Sequence, residues 1–170
     1  FADFPALRSG CAMRPELIVV ATRTAEHCAD TITALQAGAH VLVEKPCGLN
    51  AGETKRMIAA AKQAKRKLFM HHNYRFKKEA QYLFAQMKKS LIGPVFEIRA
   101  NLFSYARRND WQTLRKNGGG LLGNHGTHCL DVVLQMLGAP VQDLFCDLRH
   151  VCDAGDSEDH CKIVMRAANG

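Results

Sequence analysis

Asn124, His128 and Asp131 are spaced i, i+4 and i+7, so a helix would present all three on one face. The same stretch carries Leu130, Val132, Val133 and Leu137, and a polar stripe among such neighbours needs a reason. It can be structural, a cluster near a helix start paired with backbone. It can also be chemical, with His128 taking or giving a proton near neutral pH and Asp131 fixing its tautomer. Spacing alone leaves the two readings even. Lys45 is a second candidate, because it follows the apolar run 40–43 and so puts an amine at the carboxyl end of a strand, where open α/β sheets bind ligands. Glu44 beside it can hold or tune the ammonium, and partial desolvation can bring a lysine into a range useful for proton transfer. Position alone favours an ordinary surface lysine, and the triplet Glu44-Lys45-Pro46 weighs against that.

Three other patterns invite chemistry and carry less of it. Gly118, Gly120 and Gly123 satisfy the formula G-x-G-x-x-G. A dinucleotide loop, however, needs a buried strand before it and an acidic residue about 20 positions later at a strand end. Here the polar segment 107–117 precedes the glycines, which therefore read as close backbone approach or tight turning into a helix. A zinc site from His125, His128, Cys129 and Asp131 has suitable ligand types, but His125 and Cys129 fall on a different helix face from His128. His71 and His72, at a strand end, can touch a ligand or simply be polar strand-end residues.

The elements that must position these groups follow from apolar periodicity and punctuation. The run over 16–20, Glu-Leu-Ile-Val-Val, reads as a buried strand. A helix over 25–37 stops at Gly38, a second strand covers 40–43, and Asn50 caps a helix running to about residue 65, with Glu53 three positions on. A third strand covers 67–71. Strand and helix in alternation call for a parallel sheet, half of a doubly wound α/β fold. The rhythm changes after residue 72: a helix over 76–90, a Gly93-Pro94 break, a strand over 95–105, a helix over 121–137 ending at Gly138, and strands over 141–151 and 160–167. Alternation of Cys161, Ile163 and Met165 with Lys162, Val164 and Arg166 suits a sheet with one face covered. The expected organisation is thus a partial Rossmann-type domain over 1–72, followed over 73–170 by part of an α+β domain with a mostly antiparallel sheet.

Composition narrows the class. The chain has 170 residues, 47% hydrophobic and 23% charged, which is globular rather than disordered. No apolar run approaches the roughly 18 residues of a spanning helix, and the first ten residues lack signal-peptide order. A soluble, cytoplasmic protein without a membrane partner is expected. Seven scattered cysteines with no C-x-x-C pair suggest reduced thiols rather than a disulfide framework or a metal site. A net charge of +7 suits a dinucleotide or sugar nucleotide as well as nucleic acid. The densest basic cluster, Lys62, Lys65, Arg66 and Lys67, closes a predicted helix, where cations meet the negative end of the dipole. No stacking aromatics are interleaved there, so no nucleic-acid partner is expected.

Taken in order, the strand with Glu44-Lys45-Pro46, then His72-Asn73-Tyr74-Arg75-Phe76, Gly93-Pro94, Trp111, the run from Gly118 through His128 to Asp131, and Gly155-Asp156-Ser157-Glu158-Asp159 resemble the Gfo/Idh/MocA oxidoreductases over nearly the whole chain. The resemblance implies NAD or NADP as cofactor and a sugar, polyol or nucleotide sugar as substrate. It places Lys45, often after a cis Lys-Pro bond, near nicotinamide and substrate, and makes His128 the acid/base for the substrate hydroxyl. Where this chain has Asn124 the family often has Asp, which leaves Asn124 as a substrate hydrogen-bonder, with Asp131 also on the substrate side. Thr22, Arg23, Thr24, His27, Glu44, His71, Trp111 and Gln112 are implied to border the cofactor. Family members begin with a strand and a true G-x-G-x-x-G loop and are longer, so the activity implied is that of a longer parent protein. A non-catalytic dinucleotide or sugar sensor on the same fold is the alternative.

Unfinished sheet edges and faces favour self-association. A dimer or tetramer is the expected state in sedimentation velocity, and a monomer at high protein concentration would overturn that expectation.

Overall fold

A computed structural model of the protein describes residues 15–104, 106–152 and 154–169. The fold is α/β, with a three-stranded parallel sheet and a separate two-stranded antiparallel sheet. The described residues up to His71, with Lys116–Gly118, make one compact unit, and His72–Arg115 with the residues from Gly119 on make a second.

In the first unit β1 (Leu17–Val20), α1 (Thr24–Gln36), β2 (His40–Val43), α2 (Ala51–Ala64) and β3 (Leu68–Met70) alternate as the apolar pattern requires. β1 pairs parallel with β2, Val20 opposite Val43, and β2 with β3, Val43 opposite Met70. The short, β-branched strands place Val20, Val41 and Val43 on the face covered by Cys28, Ala34 and Leu35 of α1 and Met57 and Ala61 of α2. Leu17, Val19 and Phe69 on the strands are exposed. α1 closes at Gly38, whose φ of +92° is a left-handed stop that a side chain would strain. α2 opens on Asn50, whose Oδ1 accepts the Glu53 N–H at 3.0 Å, while Glu53 Oε2 accepts the Leu49 N–H at 2.8 Å. The core is therefore formed between the sheet and two helices, and the loops after each strand are left to carry the polar groups.

The second unit begins with a 3₁₀ turn, Asn73–Phe76, followed by α3 (Lys78–Lys88). The sequence predicts one helix over 76–90, but Lys77 is extended, with ψ of 143°, and separates the two. A single helix predicted over 121–137 is likewise in two parts, a π turn at Leu122–Gly126 and α4 (Thr127–Leu137), ended by Gly138 at φ +64°. The wider π turn takes an i→i+5 bond, so Asn124 and His128 do not keep the spacing of one uniform α-helix. β4 (Val141–Arg149) and β5 (His160–Ala167) form an antiparallel hairpin, Leu144 opposite Met165 and Cys146 opposite Ile163. Along β5 the residues alternate half-buried and exposed up to a buried Ala167, in the phase the sequence gives.

The strand expected over 95–105 is corrected. Residues 95–104 hold no regular secondary structure, Phe96 and Phe103 are almost fully exposed, and Tyr105 lies outside the described residues. An alternating run becomes a strand only when a neighbour takes its backbone hydrogen bonds, and no described strand does so here.

Met57 has no exposed surface and fixes α2 to the sheet. Met57→Ala should cost about 2–5 kcal/mol of stability, the transfer and cavity terms together, read as a fall in the urea midpoint. A cost below about 0.5 kcal/mol, the size of a surface change, would show that the core is not organised around this helix.

Candidate functional site

In the first unit the carboxyl ends of three parallel strands bring polar groups together, because β1, β2 and β3 all point the same way. β2 ends in Glu44 and Lys45, and the Lys45-Pro46 peptide is cis. Glu44 Oε1 is 2.6 Å from Nδ1 of His71, the residue that follows β3, and Glu44 Oε2 accepts the N–H of Lys45 at 3.1 Å. His27, only 2% exposed, bridges the loops after β1 and β2, with Nδ1 2.8 Å from the Pro46 carbonyl and Nε2 3.0 Å from that of Thr22. Thr24 is also buried, whereas Thr22 and Arg23 are exposed. Thr22 Oγ1 donates to Asp30 at 2.7 Å, and Glu26 Oε2 accepts from the N–H of Arg23 at 3.4 Å. Of the residues expected beside a cofactor, His27 thus holds the loops in place, Thr24 is buried at the start of α1, and Thr22, Arg23, Glu44, Lys45 and His71 offer surface at the strand ends.

In the second unit His128 is 8% exposed. The Tyr74 ring lies on it, centroids 3.9 Å apart and 16° from parallel, an arrangement that restricts the imidazole to one plane. Lys77 Nζ lies 3.3 Å from the Tyr74 centroid, in the cation–π range. The turn carrying Tyr74 is tied to α4 by an ion pair: Arg75 Nε donates to Asp131 Oδ2 at 3.0 Å, and Arg75 Nη2 donates to Asp131 Oδ1. Gln135 Nε2 adds bonds of 3.0 and 3.1 Å to the Asp131 carbonyl and Oδ2. Asp131, expected from spacing to fix the His128 tautomer and from the resemblance to lie on the substrate side, has both its oxygens engaged in holding two elements together. His72, beside this turn, is kept below its ordinary value of 6.5 chiefly by burial, and by the charge of Arg75, against the opposing effect of Asp131.

Asn124, Trp111 and Gln112 belong to a second cluster in this unit. Asp110 Oδ1 accepts the Gln112 N–H at 2.8 Å and so caps the Trp111–Thr113 turn. Gln112 Oε1 accepts from Asn124 Nδ2 at 2.9 Å and from Arg108. The 155–159 loop docks on the same turn: the Thr113 carbonyl accepts from Asp156 and Ser157 N–H at 3.0 and 3.1 Å. The glycine run fits between them. A Cβ on Gly119 would stand 2.3 Å from the Gln112 carbonyl, and one on Gly120, at φ +125°, 2.3 Å from the Glu158 carboxylate. That carboxylate accepts from Leu122 N–H at 3.1 Å, so the chain's own anion takes the place a phosphate holds in a dinucleotide loop. Among the described residues no group of three or more His, Cys, Asp or Glu could hold a metal ion.

Tyr74, Arg75, Arg108 and Glu158 shape the site without having been singled out from sequence. Arg75 and Asp131 are 56 residues apart, and Glu158 is 36 from Leu122, separations at which no local pattern operates. The available signal was the pairing of opposite charges within two motifs quoted for other reasons.

Residues 2–72 match the family model described as an oxidoreductase family NAD-binding Rossmann fold, and residues 81–170 match that of the Gfo/Idh/MocA C-terminal domain. Curated relatives include a D-glucoside 3-dehydrogenase of Escherichia coli, 27% identical over 76% of this chain and 38% of its own. Another is a scyllo-inositol 2-dehydrogenase (NADP(+)) of Bacillus subtilis, 30% identical over 74% of this chain and 36% of its own. The fold matches that of a dehydrogenase from Bordetella pertussis crystallised with NADH and UDP-GlcNAcA, at a TM-score of 0.89 and 23% identity, over all of this chain and 50% of that one. The chain spans less than half the length of the curated relatives it matches.

Burial raises the Glu44 carboxyl, but the hydrogen bonds from His71 and the Lys45 N–H, with the charges of both residues, outweigh it and hold the group below 4.5. A carboxylate depressed in the folded state contributes stability above its unfolded value and loses it as pH falls through the folded value. Glu44→Gln should therefore be less stable than the parent at neutral pH, with the difference in urea midpoint closing as pH drops below 4.5. A difference independent of pH would show that the carboxylate charge is not what the His71 contact stabilises.

Proposed function

The chain belongs to the Gfo/Idh/MocA oxidoreductase family, and from that premise we propose that it is part of an enzyme transferring hydride between a CH–OH group of a sugar, polyol or nucleotide sugar and NAD or NADP. The observation that carries this reading is the setting of His128, buried, stacked on Tyr74 and carried by a helix that Arg75 and Asp131 anchor. A general base must be held where one proton is shared, and an imidazole fixed in plane by a ring and a clamped helix meets that need.

In the oxidation direction the substrate carbon gives up a hydride and its hydroxyl gives up a proton, leaving a carbonyl; reduction reverses both. The nicotinamide, when bound, supplies the hydride chemistry. His128 accepts or returns the proton at oxygen. To Lys45 we assign the stabilisation of negative charge by its ammonium. Asn124 hydrogen-bonds the substrate, and Asp131 acts through Arg75 by keeping α4 in place. Thr22, Arg23, Glu44 and His71 are the residues we assign to the cofactor at the strand ends, and Trp111 and Gln112 keep the cofactor role that the family resemblance implies. The polar, hydroxyl-compatible donor set at those strand ends fits a dinucleotide, and the glycines at 118–123, filled by Glu158, leave its pyrophosphate to another part of the protein. The names of the D-glucoside and scyllo-inositol dehydrogenases support a polyhydroxylated substrate. We infer a cytoplasmic homo-oligomer as its setting. No described helix is long and apolar enough to cross a membrane, the described cysteines are free thiols, and Leu144, Phe145, Leu148 and Val164 of the hairpin are exposed apolar surface.

The test is made in the full-length protein against a panel of sugars, polyols and nucleotide sugars. His128→Ala should lower turnover by about 10²–10⁴-fold, the size of a general acid/base contribution, while NADH binding, read from the cofactor's own fluorescence, is kept. Turnover unchanged by the substitution would overturn the assignment.

A further inference from the structure

The Asn124 amide sits at the end of a chain of groups whose donor and acceptor roles are set at the other end. Arginine has donors only. Arg108 Nε and Nη2 donate to Asp110 Oδ2 at 3.1 and 2.7 Å, and Nη2 also donates to Gln112 Oε1. Gln112 must therefore turn its oxygen toward Arg108, because the flipped amide would set an NH2 against a guanidinium. The same oxygen receives Asn124 Nδ2 at 2.9 Å. Asn124 is then fixed in turn, nitrogen toward Gln112 and oxygen away from it. Amide orientation is ordinarily ambiguous, and here an arginine resolves it. Asp110 secures the other side, its Oδ1 accepting the Gln112 N–H at 2.8 Å and its carbonyl the Thr113 hydroxyl at 2.8 Å, so the turn bearing Gln112 is held by side chain and backbone together.

We propose that Arg108 and Gln112 are positioning residues that set the polarity of position 124, fixing an amide with its nitrogen toward Gln112 and excluding a carboxylate. An aspartate there would face an acceptor oxygen of its own kind. Turning Gln112 to donate to it would leave Arg108 against an NH2. Either arrangement loses one hydrogen bond and sets like against like, which is costly in a half-buried site. The consequence for chemistry rests on the functional reading above: position 124 takes no proton, which leaves proton transfer to His128.

The experiment follows the side-chain amide of Asn124 by ¹⁵N NMR in the full chain, its signals identified by their loss in Asn124→Ala. The two amide protons should be distinct and should exchange with solvent about three- to ten-fold more slowly than in Gln112→Leu, the equivalent of one neutral hydrogen bond. Gln112→Glu, which keeps acceptors for both Arg108 and Asn124, should retain the slow exchange. Arg108→Met, which frees Gln112 to flip, should lose part of it. Exchange that is the same in Gln112→Leu as in the parent, or is not kept by Gln112→Glu, would overturn the proposal. As a second measurement, Asn124→Asp should lower the urea midpoint more in the Gln112→Glu background than in the parent, and equal costs would also overturn it. These readouts need no turnover, so their failure removes the amide lock alone, while a His128-independent activity with the lock intact removes the functional reading alone.

Discussion

Arg75 and Asp131 fix the arrangement on which the setting of His128 in the second unit depends. Their fork-to-carboxylate contact joins the turn after residue 72 to α4, and planar bidentate geometry fixes orientation as well as distance. Asp131 is mostly buried, its side chain 12% exposed, while that of Arg75 is 40% exposed, so solvent screens the attraction and the net contribution of the pair to stability is small. Its value is geometric. With Arg75 committed to α4, the residue before it, Tyr74, is laid on His128, and the imidazole gains a wall that a free turn would not supply.

A different constraint governs the first unit. Parallel strands linked by helices must all end on one side, so the residues after β1, β2 and β3 share an edge without any attraction among them. Interactions between side chains then refine what topology imposes. His27 spans the carbonyls of Thr22 and Pro46, and Glu44 meets His71, so neighbouring loops are joined pairwise. The buried valines of β1 and β2 against Leu35 and Met57 provide the rigid base, and the polar edge is held by a few hydrogen bonds above it.

The glycine run at 118–123 shows how a motif's letters can be satisfied for another purpose. Gly119 and Gly120 are required by backbone and carboxylate neighbours closer than any Cβ tolerates, and the N–H groups that a phosphate would use are met by Glu158. The carboxylate provides at the start of this helix the negative charge that unsatisfied N–H groups and the helix dipole favour. A segment that reads as a cofactor loop by formula is thereby the rigid mount for Asn124 and His128.

The sequence by itself determined the strand–helix alternation of the first unit, because apolar periods of two and of 3.6 residues are local and each burial face is written in consecutive residues. It also determined the caps at Asn50, Gly38 and Gly138, and through the Glu44-Lys45-Pro46 and His128 motifs the family. Tertiary structure alone decided the rest. The 95–105 run alternates like a strand, yet its described part has no strand beside it, because a ladder needs a partner that the run itself does not encode. Spacing placed Asp131 with His128, and folding gave its oxygens to Arg75, 56 residues away in the chain. Asn124 could be read as a hydrogen-bonding residue, but the direction in which its amide points depends on Arg108 and Gln112. Ion pairs and donor–acceptor chains are made between groups that only the fold brings within 3 Å, and no periodicity along the chain records them.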